Sequence, residues 1–88
     1  MSYHLNEIPR GVFGEISKID EELCELVDAV QQGNKIMTLC ELSDIVGAIE
    51  GFLEKQHPTI TLADLIIMKD ATKRAFVSGA RKTKGDKQ

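Results

Sequence analysis

Residues 22–30 read Glu22-Leu23-Cys24-Glu25-Leu26-Val27-Asp28-Ala29-Val30, and nineteen positions later residues 41–49 read Glu41-Leu42-Ser43-Asp44-Ile45-Val46-Gly47-Ala48-Ile49. Each stretch runs acid, Leu, x, acid, apolar, Val, x, Ala, apolar. Each also lies inside a longer row of apolar residues at three- and four-residue steps. The first row is Val12, Ile16, Ile19, Leu23, Leu26, Val27 and Val30, and the second is Leu39, Leu42, Ile45, Val46, Ile49, Phe52 and Leu53. That period is the signature of amphipathic helices. Gly33-Asn34 stops the first. Thr38 with Glu41 has the spacing of a capping box for the second, which must end ahead of Pro58, because proline disfavours helix in the residue before it.

Working outward, Thr61 with Asp64 has the same capping spacing and opens a third helix that buries Leu62, Leu65, Ile66, Thr72 and Phe76 and stops near Gly79. Residues 1–10 contain Pro9 and are followed by Gly11, so they read as an extended arm or a short turn of helix. The predicted fold is all-α, an antiparallel bundle of three main helices completed by homo-oligomerisation. Residues 1–11 form the arm, 12–80 the helical domain and 81–88 a basic flexible tail.

The chain has 88 residues, near the size at which one hydrophobic core stops supplying ample stability, which is why self-association is expected. Its net charge is −3, with the acids concentrated between Glu7 and Glu54. That balance argues against a duplex nucleic-acid binder, which needs a basic face to displace counterions. There is no apolar run long enough to span a bilayer and no secretory pattern at the start, so a cytoplasmic protein is expected. The two cysteines, Cys24 and Cys40, are too few for a disulfide framework and read as reduced, partly buried thiols.

At about 100° per residue, the first acid of each echoed pair lies about 100° from the centre of its apolar stripe and the second about 160° away, on the same flank. Two antiparallel helices joined by a tight turn bring equivalent flanks to one side. The midpoint between Glu25 and Glu41, and between Glu22 and Asp44, is residue 33, the glycine of the turn. Glu25 is therefore expected to face Glu41, and Glu22 to face Asp44. Converging carboxylates repel one another unless some are protonated or a cation sits among them. An all-oxygen donor set suits a hard ion, Mg²⁺ first and Mn²⁺ second. Ala29 and Ala48, one turn further along, would leave room above the acids. Glu-rich helix faces are commonly just solvated, and an i, i+3 acid pair alone is weakly specific. Two such pairs on matching flanks, centred on a turn, favour the functional reading. Glu21 points about 160° to the other side of the stripe.

At these residues the chain resembles the MazG-type all-α nucleoside triphosphate pyrophosphohydrolases, whose pattern is Glu-Glu-x-x-Glu, a variable gap and Glu-x-x-Asp. Here it reads Glu21-Glu22-Leu23-Cys24-Glu25, fifteen residues, then Glu41-Leu42-Ser43-Asp44. The match covers residues 12 to 55. The resemblance implies metal binding by Glu22, Glu25, Glu41 and Asp44, with Glu21 as an accessory acid. It also implies water attack on the α-phosphorus of a nucleoside triphosphate, releasing pyrophosphate, with Glu21 or Glu22 taking the proton. Lys69, Lys73 and Arg81, in a stretch that looks like the family's basic C-terminal segment, are the candidate phosphate partners, although late-helix cations also suit the helix dipole without any ligand. Family members complete the pocket with another chain, so a homodimer or homotetramer is implied.

The chief rival from another class is a non-catalytic helical interaction module whose acidic flank binds a basic partner or a structural cation. Within the same fold, phosphoribosyl-ATP hydrolysis is a second rival. Glu54 and His57 make one Glu-x-x-His spacing, but a di-iron bundle needs two. His57 then reads as a surface residue at a helix end, and His4 as exposed in the arm.

Overall fold

The computed structural model describes residues 4–78, with side chains through Lys73. The described residues form three helices and no strand: α1 (Ile16–Gln31), α2 (Lys35–Gln56) and α3 (Leu62–Ser78). None is long and apolar enough to cross a membrane.

The α1 helix starts four residues later than the apolar row suggests. Gly14 has φ +92°, a left-handed value that a right-handed helix does not accommodate, so Val12 and Phe13 belong to a turn closed by Glu15 N–H donating to Val12 O at 3.0 Å. The other end follows the reading. Gly33, at φ +70°, donates to Val30 O, and Asn34 N–H reaches back to Ala29 O, a glycine-terminated helix end.

Asn34 then caps α2, its side chain accepting from Met37 N–H at 2.9 Å. This corrects the proposed Thr38–Glu41 capping box. Because Asn34 already closes the first turn, Thr38 lies inside the helix and donates its hydroxyl to Asn34 O at 2.8 Å, leaving Glu41 for other partners. The helix ends at Gln56, and His57 takes up a non-helical conformation ahead of Pro58. At α3 the box does form: Thr61 Oγ1 accepts from Asp64 N–H at 3.2 Å, and Asp64 Oδ2 accepts from Thr61 N–H at 2.9 Å.

The α1 and α2 helices pack on each other, and α3 touches α2 but not α1 among the described residues. Leu62 and Leu65 are half-buried as expected, whereas Ile66 is exposed, because α3 meets only the last turns of α2. An apolar groove of ≈ 390 Å³ runs between them, lined by Ile49, Phe52, Leu53, His57, Leu65 and Met68 among others. The side chain of Phe76, and Gly79 with the basic tail, lie outside the described residues.

The helix pair with its arm buries few large apolar side chains. The buried residues of α1 and α2 are Ala29, Ala48, Gly51 and Leu53 with the acids Glu21, Glu22, Asp28 and Glu41. Much of the apolar surface faces outward: Ile16, Leu23, Val27 and Val30 on α1, and Ile36, Leu39, Leu42 and Val46 on α2, are exposed, while Ile19, Leu26, Ile45, Ile49 and Phe52 are half-buried and Leu53 is buried. Covering a large apolar side chain contributes about 1.5–3 kcal/mol, so this surface holds stabilisation that the chain alone does not realise.

Candidate metal centre

The helix register brings the echoed acids together. Glu22, Glu25, Glu41 and Asp44 each offer a carboxylate oxygen, and these oxygens all lie within 4.8 Å of one another. Glu41 is 2% exposed and Glu22 is also buried, while Asp44 stands at the open edge. Two of the buried oxygens, Glu22 Oε1 and Glu41 Oε1, have no hydrogen-bond partner among the described residues. Buried carboxylate oxygens without donors carry a large desolvation cost, and a hard divalent cation is the partner such an all-oxygen set fits.

The electrostatics of the metal-free cluster carry the same mark. Burial, reinforced by Glu22 and Glu41, pushes the Glu25 carboxyl up to about 8. Burial, with the charges of Asp44 and Glu22, also raises Glu41. Without a cation Glu25 therefore holds a proton near neutrality.

Glu21 stands apart. Its Oε1 accepts from Gly11 N–H at 2.8 Å and from Lys18 Nζ at 3.2 Å. The Gly11 bond, with help from Lys18, holds the carboxyl below its usual range. Lys18 also pairs with Glu22 Oε2 at 3.1 Å, and that bond is the main cause of the upward shift of the ammonium. Lys18 thus ties Glu21 to the rim of the cluster.

Two open cavities flank the acids. One, of ≈ 350 Å³, is bordered by Phe13, Lys18, Glu22, Asp44, Gly47 and Ala48, together with Ser43. A Cβ added at Gly47 would meet nothing within 4 Å. The expected room exists beside Ala48 but not beside Ala29, which is fully buried where the helices approach. The other cavity, of ≈ 460 Å³, lies between the arm and α1, with His4, Asn6, Ile8 and Arg10 on one side and Glu21 and Glu25 on the other.

The arm carries the residues that sequence reasoning missed. His4 is not exposed: its side chain is 11% accessible, with Nε2 3.7 Å from Glu25 Oε2 and Nδ1 3.5 Å from Asp28 Oδ1. Asp28 anchors the arm, accepting from Leu5 N–H (3.0 Å), Asn6 N–H (2.9 Å), Asn6 Nδ2 (3.2 Å) and Gln32 Nε2 (2.6 Å). Burial works against its charge, but these donors, Gln32 first, outweigh it and hold the carboxyl down at about 2. A polar row at Lys18, Glu21, Glu25, Asp28 and Gln32 was the available signal, since i, i+3 and i, i+4 steps put these residues on one face.

The cations assigned to phosphate are elsewhere. Lys69 and Lys73 are exposed on α3, Lys69 pairs with Asp70 at 2.7 Å, and neither lines the two cavities beside the acids. Arg81 lies outside the described residues. Cys24 and Cys40 are free thiols, and Cys40 is exposed rather than partly buried. His57 is exposed at the C-terminal end of α2, its ring 6.0 Å from that of Phe52.

Compared with protein-family models, with curated proteins and with solved structures, the chain gives no match.

Proposed function

We propose that this chain is a divalent-metal-dependent nucleoside triphosphate pyrophosphohydrolase, releasing a nucleoside monophosphate and pyrophosphate. The observation that carries the reading is the convergence of Glu22, Glu25, Glu41 and Asp44, with buried oxygens on Glu22 and Glu41 that find no donor among the described residues. Those four residues would hold Mg²⁺ or Mn²⁺. When bound, the metal neutralises the triphosphate and lowers the pKa of the attacking water. Phosphates enter along the ≈ 350 Å³ cavity, whose rim supplies the Lys18 ammonium and the open backbone at Gly47. Of the two candidate bases, Glu22 is favoured over Glu21. Glu22 keeps a donorless oxygen in the cluster, whereas Glu21 is held by Gly11 and Lys18 and is a weaker proton acceptor.

The α1 and α2 helices are read as antiparallel, which the ion pair between Glu15, ahead of α1, and Lys55, near the end of α2, supports. The exposed apolar rows of both helices are read as the seam of a homodimer or homotetramer. In such an assembly Lys69 and Lys73 would reach phosphate in another copy's cavity. The same exposed rows are the observation that favours the second reading, a non-catalytic interaction module.

Pyrophosphate release from canonical and modified nucleoside triphosphates, and from phosphoribosyl-ATP, tests the proposal with Mg²⁺ or Mn²⁺. Turnover that disappears in Glu41→Gln supports it and identifies the substrate. No turnover on any substrate in either metal rejects it in favour of the interaction module.

A further inference from the structure

The acids of the centre take part in a second donor group, for His4, Glu25 and Glu41 also present ligand atoms within 4.8 Å of one another. Atoms that share one small divalent ion sit roughly 3 to 4 Å apart, given metal–ligand bonds of about 2.1 Å. A small contraction brings this group to that spacing. Glu41 is buried, and its Oε1 has no hydrogen-bond partner among the described residues, so a member of this group holds a buried acceptor still in need of a partner. The imidazole is oriented for the task. Its Nδ1 faces Asp28, a carboxylate fixed by four other donors, while Nε2 faces Glu25. A metal ion on Nε2 would leave the proton on Nδ1, the nitrogen beside Asp28, the carboxylate backing common to metal-bound imidazoles.

We propose that His4 Nε2, with Glu25 and Glu41, binds a divalent transition-metal ion at a second position, joined to the Glu22–Asp44 position through the two shared carboxylates. This rests on the metal-centre reading above and adds a nitrogen donor supplied by the arm. Imidazole changes the selectivity, because a mixed nitrogen and oxygen set favours Fe²⁺, Co²⁺ or Zn²⁺ over Mg²⁺, and Mn²⁺, which takes both donor types, serves as the paramagnetic probe. It also gives the arm a second purpose, since Asp28, by holding residues 4–6, presents the ligand.

The test is pulsed EPR of Mn²⁺ added to the intact chain, at natural abundance and with ¹⁵N-histidine. The expected result is a nitrogen modulation from directly bound imidazole that changes isotope with the label. It should be lost in His4→Gln and kept in His57→Gln, with helicity followed by circular dichroism. The isotope arm needs no variant, so misfolding of His4→Gln does not blunt the test. Bound Mn²⁺ without nitrogen modulation overturns this inference and leaves the carboxylate centre standing. A chain that binds no Mn²⁺ at all overturns both.

Discussion

Asp28 Oδ2 accepts the backbone N–H of Asn6 at 2.9 Å, across 22 residues of chain, and this contact turns residues 4–14 from a loose leader into a cover for the acidic flank of α1. Further along, Gly11 donates to Glu21, and the Phe13 ring lies so close over α2 that a Cβ on Gly51 would clash with it. The arm is thus tied at both ends of α1.

Removing the anchor should free the arm without unfolding the helices. In Asp28→Ala the N–H groups of Leu5 and Asn6 lose their acceptor. Trypsin cleavage after the exposed Arg10 should then accelerate by roughly an order of magnitude, since local opening governs cleavage, while helicity is retained. Unchanged cleavage would mean that Asp28 does not hold the arm.

Acid should have a related effect. Asp28 is held at about 2, below its ordinary 3.8, so the folded state prefers the ionised form. Its contribution to stability is complete above pH 4 and disappears as the pH falls from 4 towards 2. Melting temperature followed across that window should fall less steeply in Asp28→Asn than in the parent chain.

The cluster should respond in the opposite sense. Glu25 titrates at about 8 when folded, against 4.5 ordinarily, so the metal-free fold prefers the protonated form. The associated stability is full below pH 4.5 and is lost as the pH rises through 8. In chelator the melting temperature should therefore decline from pH 5 to 8. Metal needs ionised carboxylates, so Mn²⁺ affinity should rise, roughly tenfold per unit while one proton is displaced. Titration calorimetry in buffers of different ionisation enthalpy measures that proton, and Glu25→Gln should abolish it.

The acidic centre was legible because its four members sit on two helices mirrored about Gly33, so local periodicity and one turn suffice to bring them together. The start of α1 was not, because an apolar row continues through Val12 while the single left-handed Gly14 overrides it. The arm was illegible for a different reason. His4 and Asp28 meet only because a segment without regular structure folds back on a finished helix, and no period links 4 to 28. Burial was misjudged at Ile66, because amphipathic spacing says which face is apolar, not whether the same chain covers it.

Gly47 separates stability from function. It is helical, and nothing lies within 4 Å of an added Cβ, so Gly47→Ala should stabilise α2 by about 0.5–1 kcal/mol through helix propensity. The new methyl group enters the cavity beside Asp44, and KM for the proposed triphosphate substrate should rise. Gly33→Ala, equally uncrowded but at φ +70°, should instead cost about 1 kcal/mol. Denaturant melts of the two variants give the signs directly.

Leu39 tests the proposed seam. Its side chain is 67% exposed in the single chain and lies with Leu42 and Val46 on the outer row of α2, so replacing it removes little packing within the chain. In an assembly closed over that row, Leu39→Asp places a charge in an apolar contact, with a penalty of several kcal/mol for an unpaired buried charge. Sedimentation equilibrium should show the parent chain as a dimer or tetramer and Leu39→Asp as a monomer of unchanged helicity. A parent chain that sediments as a monomer would leave the row uncovered and argue for a different partner. If both chains assemble equally, the seam lies elsewhere, with the exposed Ile66, Ile67 and Met68 of α3 the next surface to substitute.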